Sequence, residues 1–191
     1  MSKTTSIMIV GVGGQGSLLA SRLLGTLLTD EGYDVKVSEV HGMSQRGGSV
    51  VTYVRFGEKV YSPIVTDGEC DYIISFEKLE AARYASCLKK GGKIIVNTQE
   101  IDPMPVITGN AAYPSDILEQ LKQQGADVDD FDALTPAETA GSAKAVNIVL
   151  MGRFAACLGI EKEKWLCAMR KVIKPKFMEM NLKAFELGYQ S

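Results

Sequence analysis

The segment IMIVGVGGQGSLLASRLLG, residues 7–25, limits what this chain can fold into more than any other part of the sequence. Four apolar residues lead into a glycine-rich turn, and a leucine-rich stretch follows. This order predicts a strand, a tight turn and a helix, in which backbone N–H groups and the helix N-terminus can hold a phosphate. Residues 35–40 predict a second strand, parallel to the first through a right-handed crossover.

The rest of the chain continues the alternation of strands and helices. Strands are predicted for residues 49–57, 59–65, 71–76, 93–97 and about 105–108, the first two forming an antiparallel hairpin. Helices are predicted for residues 77–90, 114–124, from a capping box at 135–138, for 143–158, and for two tail segments divided at residues 174–175. We therefore expect an α/β fold, a single Rossmann-like three-layer domain over residues 1–191 with a mostly parallel, mixed sheet.

Composition excludes several classes of partner and site. The chain has 191 residues, 46% of them hydrophobic, which is enough for one sizeable core. Its 21 basic and 23 acidic residues predict neither a nucleic-acid partner nor an anionic membrane surface. The four cysteines are widely spaced, so neither zinc nor an iron–sulfur cluster is predicted. No apolar run reaches the roughly 18 residues of a membrane span, and we expect a cytoplasmic protein with reduced thiols.

The glycine-rich turn is the first candidate site. Its candidate cofactor-binding residues are Gly11, Gly13, Gly14, Gln15, Gly16 and Ser17. Glu39 follows about where an acidic residue meets a ribose hydroxyl in dinucleotide-binding folds, and Asn97 ends a strand at the same edge. One hypothesis is therefore a self-contained NAD(P)-dependent oxidoreductase. Against it, little chain remains for a substrate domain, and the only histidine, His41, lies in a loop. The glycines are also open to a simpler explanation as a tight turn.

The second candidate site is the segment EVHGMSQRGGSV, residues 39–50. Its candidate substrate-binding or interface residues are Ser44, Gln45, Arg46, Gly47 and Gly48. An arginine fork suits a phosphate or a carboxylate, and paired glycines allow close backbone approach. Because the segment follows the second strand, we expect it to border the same crevice as the glycine-rich turn. A polar loop that leads into a strand is the simpler alternative.

Both motifs occur with ISFEKLEAARY, IIVNT, KAVNIVLMG and NLKAFELGY. Together these segments resemble the gamma-type chains of the 2-oxoacid:ferredoxin oxidoreductases, and within that family the small subunit of the indolepyruvate-type enzymes. The resemblance covers nearly the whole chain. It implies oxidative decarboxylation of a 2-oxoacid, with the acyl group passed to coenzyme A and the electrons passed to ferredoxin.

The resemblance also implies a division of labour between subunits. A large catalytic subunit would carry thiamine diphosphate, magnesium and iron–sulfur clusters, while this chain would be a non-catalytic subunit that helps to close the active site of a heteromer. Coenzyme A would be a co-substrate at the glycine-rich turn. In agreement, the sequence lacks the Gly-Asp-Gly and downstream Asn of thiamine diphosphate sites. The sequence identifies neither a catalytic residue in this chain nor the particular 2-oxoacid that the enzyme uses.

Overall fold

The computed structural model of the chain describes residues 4–42 and 47–191. They contain a six-stranded sheet with the order β2-β3-β1-β4-β5-β6. The strands are β1 (Thr5–Val12), β2 (Asp34–His41), β3 (Ser49–Gly57), β4 (Cys70–Ser75), β5 (Leu88–Asn97) and β6 (Asp127–Phe131). β3 is antiparallel to both β1 and β2, whereas β1, β4, β5 and β6 are parallel to one another. The predicted α/β fold with a mixed, mostly parallel sheet is confirmed.

The central strand β1 has the apolar sequence that a strand covered on both faces requires. Ile7, Met8, Ile9 and Val10 are all fully buried. Since successive side chains of a strand point to opposite faces, Ile7 and Ile9 pack into one core, and Met8 and Val10 pack into the other. Helices therefore cover both faces of the sheet.

Eight α-helices occur in the described part of the chain. They are α1 (Ser17–Asp30), α2 (Lys78–Arg83), α3 (Met104–Ile107), α4 (Ile117–Gln123), α5 (Leu134–Ala140), α6 (Val146–Leu158), α7 (Lys162–Val172) and α8 (Met178–Gln190). The larger core packs α1, α5, α6, α7 and α8 on one face of the sheet, and the smaller core packs α2 and α4 on the other. None of these helices combines the length and the hydropathy needed to cross a lipid bilayer.

The most consequential departure from the predicted topology is the position of β3. β1 and β2 run in the same direction, as predicted, but β3 lies between them and pairs with both. The predicted hairpin partner, residues 59–65, forms no strand. Pro63 cannot donate a ladder hydrogen bond, and this segment is instead held by side chains. Arg55 donates to the Ile64 carbonyl at 2.6 Å, and the Asp34 carboxylate accepts the Val60 N–H at 2.8 Å.

Two further predictions from the middle of the chain are wrong. The helix predicted over residues 77–90 is limited to α2, because the chain passes through a short 3₁₀ turn, Ala85–Cys87, and enters β5. The strand predicted near residues 105–108 is the short helix α3. β6 is absent from the predictions because its sequence, DVDDF, has few residues typical of strands.

Helix boundaries in the C-terminal half follow the sequence more closely. The predicted capping box at Thr135 is wrong: α5 begins at Leu134, and the carboxylate of Asp132 accepts the N–H groups of Leu134 at 2.8 Å and Thr135 at 3.3 Å. The predicted buried helix is confirmed as α6, which ends at the left-handed Gly159. α7 and α8 confirm the two tail helices, which a 3₁₀ turn separates.

Candidate functional site

The candidate site lies at the carboxyl edge of the sheet, where β1 and β4 end side by side. The helix that follows β1 packs on one face of the sheet, and the helix that follows β4 packs on the other. Such a reversal opens a crevice at the carboxyl ends of parallel strands, which is where α/β folds bind ligands. The turn at residues 13–16 lies directly at this point.

The glycines in and just before this turn are required for different structural reasons. Gly16 caps α1 in the left-handed conformation, with φ +92°, and a Cβ there would overlap the Asn147 side chain. Gly14 is also left-handed, with φ +105°, but open space surrounds it. A Cβ at buried Gly11 would lie 3.0 Å from the Cβ of Phe76. Gly11 and Gly16 therefore permit close packing, whereas Gly14 leaves the turn exposed.

The two sequence motifs meet at Gly13. The Gly13 N–H donates to the Gly48 carbonyl at 2.8 Å, and the Gly47 N–H donates to the Gly13 carbonyl at 3.4 Å. These bonds extend the β1–β3 ladder beyond the pair Val12–Ser49. Gly47 and Gly48 thus border the crevice with the turn. Ser44, Gln45 and Arg46 lie outside the described residues.

Gln15 turns inward and ties the turn to the floor of the crevice. Its Oε1 accepts the Val12 N–H at 2.7 Å, and its Nε2 donates to the Phe76 carbonyl at 3.2 Å and to Gln99 Oε1 at 3.3 Å. Sequence analysis assigned Gln15 to the cofactor, but this geometry gives its amide a scaffold role at the ends of β1, β4 and β5. Gln99 was not predicted, and its only sequence signal is its position two residues after a strand.

Asn97, also a predicted cofactor residue, is fully buried in the same polar layer. Its Oδ1 accepts the Ala133 N–H at 3.0 Å, and its Nδ2 donates to the Phe76 carbonyl at 3.1 Å and to Gln99 Oε1 at 3.4 Å. These bonds satisfy the backbone where β5 and α5 approach each other. Asn97 therefore supports the crevice from beneath.

A second polar cluster, centred on Glu77 and Glu80, connects α2 to the neighbouring segments on the other side of the crevice. Sequence analysis did not predict this cluster. Glu77 is 1% exposed, and its carboxylate accepts the Glu80 N–H at 2.9 Å, the Ile101 N–H at 3.2 Å and the Tyr113 hydroxyl. The hydroxyl of Ser49 donates to Glu80, which is 4% exposed. The start of β3 is thereby bound to α2.

Burial is the largest influence on the pKa values of Glu80 and Tyr113 in this cluster. Desolvation raises the pKa of Glu80, although the Ser49 hydroxyl and the Arg83 guanidinium, 3.1 Å from its carboxylate, act in the opposite direction. Burial and the hydrogen bond to Glu77 raise the pKa of Tyr113, which keeps its hydroxyl a donor.

Two cavities flank the turn. The first, the Glu39 cavity, has a volume of about 320 Å³ and is lined by Gly13, Gly14, Gly16, Ser17, Leu18, Glu39, His41 and Val50. Glu39 is exposed, and its carboxylate accepts the Thr52 hydroxyl at 3.2 Å. The structure thus brings Glu39 and Ser17 to one cavity, although β3 lies between β2, which carries Glu39, and β1, which precedes the helix that begins at Ser17.

The second, the Gln99 cavity, has a volume of about 530 Å³ and lies on the α6 side of the turn. Its polar lining includes Gln15, Gln99, Lys144 and Asn147. Asn147 Nδ2 donates to the Gly16 carbonyl at 3.2 Å, which fixes the start of α1 against α6. Lys144 is exposed and has no acidic partner among residues 4–42 and 47–191.

The described side chains do not fit a metal ion or an iron–sulfur cluster. No three His, Cys, Asp or Glu side chains in the described ranges are grouped closely enough to hold a metal. Cys70, Cys87, Cys157 and Cys167 are free thiols. Burial raises the pKa of Cys70 to about 12, so this thiol is held in its protonated, poorly ligating form.

Comparison with known families gives this architecture its context. The family model described as "Pyruvate ferredoxin/flavodoxin oxidoreductase" matches residues 6–191. The chain belongs to this family.

Relatives that match over nearly their whole length support the same family assignment. The chain is 43% identical to the "Indolepyruvate oxidoreductase subunit IorB" proteins of Thermococcus kodakarensis and Pyrococcus horikoshii, covering 99% of this chain and 96% of each relative. It is 27% identical to a "Pyruvate/ketoisovalerate oxidoreductases common subunit gamma" of Pyrococcus abyssi, covering 94% of this chain and 92% of that one. The predicted resemblance, and with it a supporting subunit of a 2-oxoacid:ferredoxin oxidoreductase, is confirmed.

Solved structures share the fold at low sequence identity. The gamma subunit of the keto/oxoacid ferredoxin oxidoreductase of Geobacter sulfurreducens is 24% identical, with a TM-score of 0.71 and coverage of 97% of this chain and 96% of that chain. The 2-oxoglutarate:ferredoxin oxidoreductase of Magnetococcus marinus is 16% identical, with a TM-score of 0.68. It is matched over all of this chain but 31% of its own length. In that larger protein the same fold forms one part of a longer chain.

Proposed function

We propose that this chain is the small, non-catalytic subunit of an indolepyruvate-type 2-oxoacid:ferredoxin oxidoreductase and that it works in the cytoplasm. The observation that carries the proposal is the 43% identity to the IorB subunits over 99% of the chain. Identity to the pyruvate/ketoisovalerate gamma subunits is 26–27%. The larger value favours the indolepyruvate type, whose substrate is an aromatic 2-oxoacid.

The proposed complex assigns the redox chemistry to a large partner subunit. That subunit would carry thiamine diphosphate, magnesium and iron–sulfur clusters and would pass electrons to ferredoxin. The scattered free thiols of this chain and the lack of a metal-binding group among its described side chains support this assignment. No step of the decarboxylation is placed on this chain.

The role proposed for this chain is to bind and orient coenzyme A at the carboxyl edge of the sheet. Gly13, Gly14 and Gly16 bring the backbone close to the ligand, and the N-terminus of α1 at Ser17 suits a phosphate. The inward hydrogen bonds of Gln15 support this function because they hold the turn rigid before the ligand arrives.

The loop at residues 44–48 is proposed to complete the same site. Arg46 would pair with an anionic group of the substrate, of coenzyme A or of the large subunit, while Ser44 and Gln45 would supply further hydrogen bonds. The bonds between Gly13 and residues 47–48 support a joint role, because they fix the end of this loop beside the turn.

The competing hypothesis, a self-contained NAD(P)-dependent oxidoreductase, retains one structural feature. Glu39 lines the same cavity as Ser17, as an acid that meets a ribose hydroxyl would require. The relatives, however, are subunits of larger oxidoreductases. Isothermal titration of the chain with NADH separates the two, because micromolar binding would favour the competing hypothesis.

Affinity purification of the chain from its native cells tests the proposed function. We expect a large, brown, thiamine-dependent chain to co-purify in a fixed ratio. The eluate should reduce a viologen dye with indolepyruvate and coenzyme A, and much less with pyruvate. Recovery of this chain alone, from cells that contain the dye-reducing activity in another fraction, would refute the assignment.

A further inference from the structure

The orientation of one amide, Gln99, follows from its neighbours. The Val12 N–H donates to Gln15 Oε1, so the Nε2 of Gln15 must be the group that faces Gln99. In the same way, the Ala133 N–H donates to Asn97 Oδ1, so the Nδ2 of Asn97 also faces Gln99. Two backbone donors therefore fix two amides independently.

Both amides present a donor to Gln99, and only its oxygen can accept. Gln99 Oε1 lies 3.3 Å from Gln15 Nε2 and 3.4 Å from Asn97 Nδ2. A flipped Gln99 would set three NH₂ groups against one another. Its Nε2 is consequently left as a donor without a partner among the described residues, and Gln99 lines the cavity of about 530 Å³.

The charges around the turn distinguish its two cavities. The Glu39 cavity contains a carboxylate, whereas the side chains that line the Gln99 cavity include Lys144 and no acid. Gly16, the N-cap of α1, lines both cavities, so the positive end of the helix dipole lies beside each of them and the difference comes from the side-chain charges. The side-chain charges therefore make the α6 side of the turn more favourable for an additional anionic group than the β2 side.

We infer that the Gln99 cavity binds an anionic, oxygen-rich group, a phosphate or a carboxylate, and that Gln99 Nε2 and Lys144 are its specificity-determining donors. This inference deepens the proposed function and rests on it for the identity of the ligand. Two sources have this chemistry: the phosphates of coenzyme A and the carboxylate of the 2-oxoacid. A volume of about 530 Å³ admits either group.

The substitution Gln99→Glu isolates the predicted donor. One carboxylate oxygen can still accept from Gln15 and Asn97, while the other replaces Nε2 with a negative charge that faces the cavity. Lys144→Gln removes the cation from a separate element, and Lys144→Arg preserves it. Gln123→Glu, at an exposed position on α4, is the matched control for the added charge.

Isothermal titration of the full chain with coenzyme A and, separately, with indolepyruvate measures the effect. We expect Gln99→Glu to lower the affinity for one of these probes by at least about ten-fold, the loss typical of a hydrogen bond to a charged group. Lys144→Gln should weaken the same probe, while Lys144→Arg and Gln123→Glu should bind as the wild type does. The probe that responds identifies the source of the anion.

Three results would overturn the inference: unchanged binding of both probes by Gln99→Glu, equal losses in Gln99→Glu and Gln123→Glu, or no binding of either probe by the wild type alone or in its purified complex. These results are distinct from failure of the proposed function, which is shown by the absence of a large subunit. A complex that assembles and turns over with KM values for both coenzyme A and indolepyruvate unaffected by Gln99→Glu would refute the inference alone.

Discussion

The backbone N–H of Gly13 donates to the carbonyl of Gly48 at 2.8 Å, and this bond joins the two glycine-containing motifs of the chain. Ser49, the next residue, donates to the buried Glu80 on α2. On the other side of the turn, Gln15 reaches Gln99 at 3.3 Å. The turn is thus held from both sides of the crevice through Glu80 and Gln99, which lie outside both motifs.

Substitution at Gly16 should destabilise the protein more than substitution at Gly14. Both residues have positive φ, but only at Gly16 would a new Cβ also overlap Asn147. We expect Gly14→Ala to lower the free energy of unfolding by about 1 kcal/mol, and Gly16→Ala by about 2–3 kcal/mol. Urea denaturation checks this, and adding Asn147→Ala should recover part of the Gly16→Ala loss. Equal losses at both glycines would show that packing against Asn147 is unimportant.

A carboxyl group at position 97 should make stability depend on pH. In Asn97→Asp, burial and the Phe76 carbonyl should raise the folded-state pKa of the new group above its unfolded value of about 3.9. The folded state then favours the protonated form, so the stability of the variant should fall as pH rises through that folded-state pKa. Thermal unfolding between pH 4 and pH 8 measures this, with the exposed Asn110→Asp as control. Parallel curves for the two variants would contradict the buried role of Asn97.

Glu80 should contribute a similar pH dependence to the wild type. Because burial raises its pKa in the folded state, its favourable contribution is complete below the unfolded value of 4.5 and declines as pH rises through the raised value. Relative to Glu80→Gln, the wild type should therefore be more stable at pH 4 than at pH 7. Denaturant midpoints of the wild type and of Glu80→Gln, measured across this pH range, give the comparison. Only the change of their difference with pH matters, so a difference that is the same at every pH does not affect the result. A difference that grows with pH would mean that Ser49 and Arg83 outweigh burial.

Close packing between α6 and α8 depends on glycine. A Cβ at Gly188 would overlap the Val149 carbonyl, whereas a Cβ at Gly25 in α1 would meet only Val37 at 3.7 Å. We expect Gly188→Ala to lower the free energy of unfolding by about 2–3 kcal/mol, and Gly25→Ala to be neutral or to raise it by up to about 1 kcal/mol. Guanidinium unfolding of the two variants tests this. A Gly188→Ala variant as stable as the wild type would show that α6 and α8 can move apart without loss of stability, which would contradict the prediction.

The sequence predicted those elements whose signals are local. β1, the turn and α1 follow from an apolar run, glycines and a leucine-rich helical pattern, and α6 follows from its apolar length and the glycine after it. β6 lacks such a signal, because its aspartates are unusual in strands. Asp129 is compensated by Arg153, whose Nη2 lies 2.7 Å from its carboxylate, and Asp127 is compensated by Lys93 at 3.2 Å. Those partners are distant in sequence.

The candidate site likewise depends on contacts between residues that are distant in sequence. Sequence motifs located the turn and residues 47–48 at the crevice, but they could not show whether a side chain points outward or inward. Gln15 was assigned to a ligand, yet its amide is bonded to Val12, Phe76 and Gln99. Gln99 belongs to no motif, and its donor becomes evident only when the long-range pairs to Gln15 and Asn97 are known.

Titration of the purified chain into its large subunit tests the central claim most directly. Viologen dye reduction with indolepyruvate and coenzyme A should be absent with this chain alone, should rise with added chain and should saturate at a fixed molar ratio. Dye reduction by this chain without a partner, or full activity of the large subunit before the chain is added, would contradict its assignment as a supporting subunit.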